Sequence, residues 1–249
     1  MDFSLPPQLE ASAPAEARGL SRDGVRLMVS SRAKNRIVHT HFRELGEFLR
    51  AGDVLVINTS GTLPAALVAT RTDGTDLELH LSTHLPGDIW TVELRQPGPH
   101  GTKPFRQGVA GETLCLPGHA EVTLLAPYAL DRSQLSADPH QATRLWLAIL
   151  SLPSGLPLHD YLARYGFPIR YGYVHEAWPI ESYQTVYATE AGSAEMPSAG
   201  RAFTPELMAR LVAQGVQFAP LLLHTGVASL EEHEPPYEEY YRVSPETAQ

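Results

Sequence analysis

The chain has 249 residues, 43% of them hydrophobic, and carries 28 Asp and Glu against 19 Lys and Arg for a formal net charge of −9. That length and apolar content support one large domain or two smaller ones with a sizeable core, and the acidic balance excludes a protein coated in basic surface. No apolar run reaches membrane-spanning length and the start, Met1-Asp2-Phe3-Ser4-Leu5-Pro6, lacks the regions of a secretory signal, so a soluble cytoplasmic protein without a membrane partner is expected.

Charge is uneven along the chain. Arg18, Arg22, Arg26, Arg32, Lys34, Arg36 and Arg43 crowd one N-terminal stretch against Glu16 and Asp23, whereas the tail sets Glu231, Glu232, Glu234, Glu238, Glu239 and Glu246 against Arg242. A local basic patch on an acidic protein either steers a polyanion to one face or is a solvated, arginine-rich surface.

In chain order, 25–29 and 36–41 read as the strands of a hairpin around a Ser30-to-Asn35 turn. His39 and His41 share one face of the second strand, but no third ligand stands nearby and no metal site is expected. Phe42, Leu45, Phe48 and Leu49 recur at helical spacing, with Gly52 as the stop. Val54-Leu55-Val56-Ile57 is continuously apolar, as in a strand covered on both faces. It runs into Asn58-Thr59-Ser60, which are either ligand contacts beyond a strand's carboxyl end or a polar turn.

From Ala66 the pattern changes to short alternating strands, read at 67–71, 77–81, 90–95, 113–116, 122–125 and 144–149. Six short strands predict a small β-barrel, with loops at 96–104 and 133–140. Cys115, the one cysteine, excludes an internal disulfide and is expected to be a small core residue of this unit. The fold class expected is α/β in the multidomain α+β sense: residues 1–64 plus 151–249 form a discontinuous α/β sheet domain, and 65–150 is an inserted six-stranded barrel. The 54–58 and 218–224 strands are then expected in one sheet.

After the barrel, Tyr165 to Tyr173 interleaves aromatic rings with Arg170, which suits either packing against the core or stacking on bases. Tyr183 to Ala188 reads as a strand, followed by a small-residue loop and a helix opened by Thr204 and Pro205 and closed at Gly215. Such a loop lets backbone approach a polar ligand, although an ordinary β-to-α connection has the same pattern. The strand 216–224 ends at His224-Thr225-Gly226, on the side of the sheet where Asn58 is also expected.

Six motifs in series carry a resemblance: Asp2-Phe3-Ser4-Leu5-Pro6; Gly52 to Asn58; Tyr183 to Ala188; Ser198-Ala199-Gly200 with Phe203-Thr204; Leu223-His224-Thr225-Gly226; and Glu239-Tyr240-Tyr241. In order and spacing they resemble the S-adenosylmethionine:tRNA ribosyltransferase-isomerase family of queuosine biosynthesis, as a divergent and C-terminally short member. The resemblance implies an α/β domain with an inserted barrel, and transfer of the ribosyl part of S-adenosylmethionine to a 7-aminomethyl-7-deazaguanine in tRNA. The implied partners are tRNA and S-adenosylmethionine, the latter as substrate with no catalytic cofactor, and a monomer is expected. Where the family has Asn-Asp-Thr-Arg this chain has Asn58-Thr59-Ser60-Gly61, and where it has a histidine before Phe-Thr this chain has Ala202.

Chemistry of that kind needs a base beside the sulfonium, an acid for the departing adenine and a pocket holding both substrates. His224 is the first candidate for base or acid and Glu195 the second. Asn58, Thr59, Gln184, Ser198, Ala199, Gly200, Phe203, Thr204 and Gly226 are the candidate substrate contacts, and Arg32, Lys34 and Arg36 the candidate RNA contacts. The departures leave a second reading open, a catalytically inactive or substrate-shifted paralogue that binds S-adenosylmethionine or RNA.

Overall fold

The computed structural model describes residues 6, 9–98, 101–128, 144–227 and 238–249. The start motif at 2–5, the expected 133–140 loop and the acids Glu231, Glu232 and Glu234 lie outside the described residues. The chain begins with a hairpin, β1 (Arg26–Ser31) and β2 (Arg36–His41), whose turn places Asn35 at positive φ. A 3-10 helix, Phe42–Phe48, follows in place of the expected α-helix. Gln214 Nε2 donates to the carbonyls of Gly46 and Leu49, so a side chain satisfies groups that a longer helix would pair internally.

The chain then forms β3 (Val54–Asn58), β4 (Ser60–Thr62) and the barrel strands β5 (Ala66–Thr70), β6 (Asp76–Leu85) and β7 (Ile89–Gly98). It continues through β8 (Gly101–Pro104), β9 (Thr113–Leu116), β10 (Ala120–Pro127) and β11 (Leu145–Ser151). Six of these, in the order β11-β10-β9-β5-β6-β7, close into a barrel because β11 also pairs with β7. Period-two alternation explains the closure: Leu77, Leu79 and Leu81 of β6 and Val92 and Leu94 of β7 are buried in one core with Leu67, Leu114, Val122 and Ala148. The expected 96–104 loop is instead largely strand, since β7 runs on to Gly98 and pairs with β8 at the barrel's edge. Prolines are tolerated at such an edge because no further strand needs their missing N–H. Cys115 is exposed, a correction to its expected core position: its neighbours Leu114 and Leu116 take the inward face.

After the barrel come α1 (Leu158–Tyr165), β12 (Glu190–Ser193), α2 (Pro205–Ala213), β13 (Gln217–Leu223), β14 (Tyr241–Val243) and the short α3 (Pro245–Ala248). β3 and β13, on either side of the barrel in sequence, pair in parallel, and β14 joins β13 antiparallel. α2 begins where Thr204 Oγ1 accepts from Leu207 N–H with Pro205 in the first turn. Its Leu207 and Leu211 pack with Phe203, Val216, Phe42, Leu55 and Phe218 on one side of this sheet. Val54 and Val56 are 54% and 61% exposed, so β3 is covered on one face only, contrary to the two-sided burial its apolar run predicts. The strand expected at 183–188 is absent. Gln184 turns its side-chain amide onto Thr62, accepting from its N–H and donating to its carbonyl, and the strand that pairs with β4 is β12 further on.

Candidate active site

β13 ends at Leu223, and the next residue, His224, is held by long-range contacts. Its Nδ1 lies 2.7 Å from Ser60 Oγ on β4. Ser60 Oγ in turn lies 2.6 Å from Ser193 Oγ on β12, which accepts from Thr225 N–H. The two serines are fully buried, so this hydroxyl pair is a fixed support for the ring. The imidazole lies over Gly192, where a Cβ would collide with it, and stacks on Tyr240 with centroids 5.4 Å apart. Nε2 is thereby the ring nitrogen turned toward Glu190 Oε1, 3.8 Å away, and Glu190 Oε2 is bound by Arg242 at 2.6 Å.

These groups face a cavity of about 370 Å³ between the barrel and the α/β sheet. Barrel residues Ser82, Thr83, His84 and Trp90 line one side, with the His84 and Trp90 rings stacked at 4.6 Å, and α1 contributes His159. Burial pushes the His224 pKa below its ordinary 6.5; Glu190 pushes it back up and Arg242 pushes it down. The imidazole is therefore neutral near pH 7 and can accept a proton. Since the unfolded chain takes up this proton first, its contribution to stability is present above pH 6.5 and lost on acidification. Activity that needs neutral His224 is expected to show an acid limb below pH 6.5, moved lower still by Glu190→Gln and higher by Arg242→Gln, as read from the pH profile of the reaction.

The other sequence candidates lie in several different places. Asn58 and Thr59 adjoin His224 but are bonded to the sheet: Asn58 Nδ2 donates to Leu223 carbonyl, its Oδ1 accepts from Leu223 and Ser60 N–H, and Thr59 Oγ1 donates to Leu221 carbonyl. Gln184 clamps Thr62, Phe203 sits in the α2 core, and Thr204 caps α2. Gly200 is buried where a Cβ would strike Tyr187 Oη, and Ala199 beside it is exposed. Gly226 donates its N–H to Glu239, so the Glu239-Tyr240-Tyr241 motif is the strap that holds the His224-Thr225-Gly226 turn.

Glu195 and Ser198 lie in a second cavity of about 330 Å³ together with Arg18, Arg22, Tyr171, Tyr173 and Arg201. Tyr171 Oη donates to Glu195 Oε2 at 2.9 Å, and burial raises the Glu195 pKa despite that bond. Arg32, Lys34 and Arg36 are exposed at the β1–β2 hairpin, with no ion pair among the described residues. Sequence reasoning missed Ser60's support of the ring, Glu190 and Arg242. The one available signal was that Ser60 keeps a hydroxyl in the segment following β3. Among the described residues no group of three His, Cys, Asp or Glu side chains could hold a metal, and no helix is long and apolar enough to cross a membrane.

The fold and cleft define a mixed α/β protein with a closed six-stranded barrel and a half-buried histidine whose ring is supported by a buried serine pair. The family described as queuosine biosynthesis protein matches residues 1–249, and the chain belongs to that family. It is 35% identical over 257 residues to the S-adenosylmethionine:tRNA ribosyltransferase-isomerase of Thermotoga maritima, covering 99% of this chain and 67% of that protein. The Desulfitobacterium hafniense protein of the same name is 34% identical, with 100% and 68% covered. A crystal structure of an S-adenosylmethionine tRNA ribosyltransferase from Thermotoga maritima aligns with 28% identity and a TM-score of 0.37, over 99% of this chain and 62% of that one. The chain thus spans about two thirds of the length of these proteins.

Proposed function

We propose that the chain is a transferase-isomerase that moves the ribosyl moiety of S-adenosylmethionine to 7-aminomethyl-7-deazaguanine in tRNA, forming epoxyqueuosine. It acts in the cytoplasm as a monomer, with S-adenosylmethionine consumed as substrate. The observation that carries the reading is the buttressed His224 in the cleft, in a chain whose relatives are named for this reaction. S-Adenosylmethionine occupies the cleft with its sulfonium near the Glu190 carboxylate and the faces of Trp90 and Tyr240. His224, donating Nδ1–H to Ser60, uses Nε2 to take the proton beside the sulfonium, and Glu195 serves as the second acid–base group. Asn58, Thr59, Gln184, Phe203, Thr204 and Gly226 act by fixing the backbone around the substrates, and Ser198, Ala199 and Gly200 form the loop that meets them. The same reading takes residues 1–64 with 151–249 as one unit carrying the insertion 65–150. The test is to incubate the protein with labelled S-adenosylmethionine and tRNA bearing the deazaguanine: tRNA-dependent adenine release is expected, and its absence under all conditions contradicts the proposal.

The Arg32, Lys34 and Arg36 cluster is proposed to meet tRNA phosphates. Each engaged cation releases counterions, so affinity is expected to fall steeply with salt. Reversing all three charges should weaken tRNA binding and flatten that slope, leaving S-adenosylmethionine affinity unchanged. Because screening acts within about 8 Å at physiological salt, the effect is confined to the hairpin itself. Filter binding across a salt series measures it, and an unaltered slope moves the RNA face elsewhere.

A further inference from the structure

His39 and His41 take no part in the proposed activity, and the sequence sets no third ligand beside them. The strand pairing does. Met28 of β1 is the Cα partner of His39, and Arg26 is the partner of His41. Directly opposed residues of an antiparallel pair, and residues two apart on one strand, share a face, so Met28, His39 and His41 stand together on one side of the hairpin. That side is the outer one: Arg26, Met28, Ser30, Ile37, His39 and His41 are all exposed, whereas Leu27, Val29, Val38 and Thr40 on the other side are half-buried. Met28 is 62% exposed, so its thioether is not taken up by packing, and neither imidazole makes an ion pair among the described residues. Opposed Cβ atoms in such a pair lie about 4.5–5.5 Å apart, and the two histidines, one pleat apart, about 7 Å. A thioether and two imidazoles span those separations when they converge on one ion above the pleat.

The donor set selects among metals. A thioether is a soft ligand that suits Cu(I), whereas Mg²⁺, Ca²⁺ and Mn²⁺ take oxygen, and Zn²⁺ takes thiolate, imidazole and carboxylate. Charge points the same way. No carboxylate stands on β1 or β2, and Arg26 shares the face with Arg32, Lys34 and Arg36 at the turn end, so three neutral donors among cations suit a monovalent ion better than a divalent one.

We infer that Met28, His39 and His41 form a surface site for Cu(I), one thioether and two imidazoles drawn from both strands of the hairpin. The site is independent of the proposed activity. β1 and β2 make a two-stranded sheet of their own, an arrangement that holds weakly by itself. An ion ligated from both strands binds the paired hairpin and not the separated strands, so it ties β1 to β2.

The experiment is an anaerobic titration of the whole chain with Cu(I) against bicinchoninate as a coloured competitor. It is run on Cys115→Ser, because the exposed Cys115 thiol is itself a soft ligand that would take the ion elsewhere. One Cu(I) per chain is expected to leave the competitor. Met28→Leu and His39→Asn, each added to Cys115→Ser at an exposed position where the fold tolerates substitution, are expected to lose that uptake. X-ray absorption at the copper edge of the loaded protein should show one sulfur and two nitrogen neighbours. Amide exchange across Arg26–Ser31 should slow on loading, and should not slow when Met28 is leucine. No uptake, uptake undiminished by Met28→Leu, a copper neighbourhood without sulfur, or exchange in the hairpin unaltered by loading overturns the inference.

Discussion

His224→Asn is expected to lower tRNA-dependent adenine release about 10²- to 10⁴-fold, the usual contribution of a positioned acid–base group. Asparagine is polar enough to bond Ser60 but has no nitrogen that titrates near neutrality, so the buried serine pair and the stack on Tyr240 need not collapse. S-Adenosylmethionine affinity should change far less than turnover, because the cleft walls contributed by Trp90, Leu158 and Glu190 are untouched. Gly192→Ala should give a comparable loss by a different route, since the added Cβ would occupy the place of the imidazole. Single-turnover measurement distinguishes chemistry from binding, and a His224→Asn variant within a fewfold of wild type would remove His224 from the reaction.

Glu93→Ala is expected to destabilise the chain by about 3–5 kcal/mol, the usual cost of removing one partner of a buried ion pair. Glu93 is 2% exposed on the outward face of β7. Its Oε1 receives Arg95 Nη1 at 2.5 Å and Arg144 Nη1 at 3.0 Å, and its Oε2 lies 3.8 Å from His80 Nδ1. The group is buried where the barrel meets the rest of the chain, because Arg144 also donates to Val227 carbonyl and Glu93 acts electrostatically on Glu195. For a chain of this size the predicted loss corresponds to a fall in Tm of about 6–20 °C in thermal unfolding. A fall below about 2 °C would show that the seam is hydrated and that barrel and sheet are not locked through these charges.

The barrel was legible because period-two alternation is a local signal: each of the six expected strands overlaps an observed one, as 77–81 does β6 and 113–116 does β9. Val54 to Ile57 was read as a two-sided strand because apolar content alone carries no information about which face another element covers, and the outer face of β3 has Val54 and Val56 exposed. Tyr183 to Ala188 was misread for a related reason. Its β-favouring composition is a weak prior, and the pairing to Thr62 is made by the side chain of Gln184 in place of a backbone ladder. His224 could be nominated from its place at a strand end, whereas Ser60, 164 residues away in sequence, could be found only once β4 and β12 were seen to meet beneath it. Asn58 and Thr59 were nominated by the same strand-end rule, and their polar atoms close the β3–β13 pairing.

The most direct test is a crystal structure of the chain with S-adenosylmethionine bound. It should place the ligand between Trp90 and His224 in the cleft of about 370 Å³, with the carbon beside the sulfonium within hydrogen-transfer reach of Nε2 and the sulfonium facing Glu190. Density for S-adenosylmethionine in the cavity beside Glu195, with the His224 cleft empty at saturating ligand, would contradict the account.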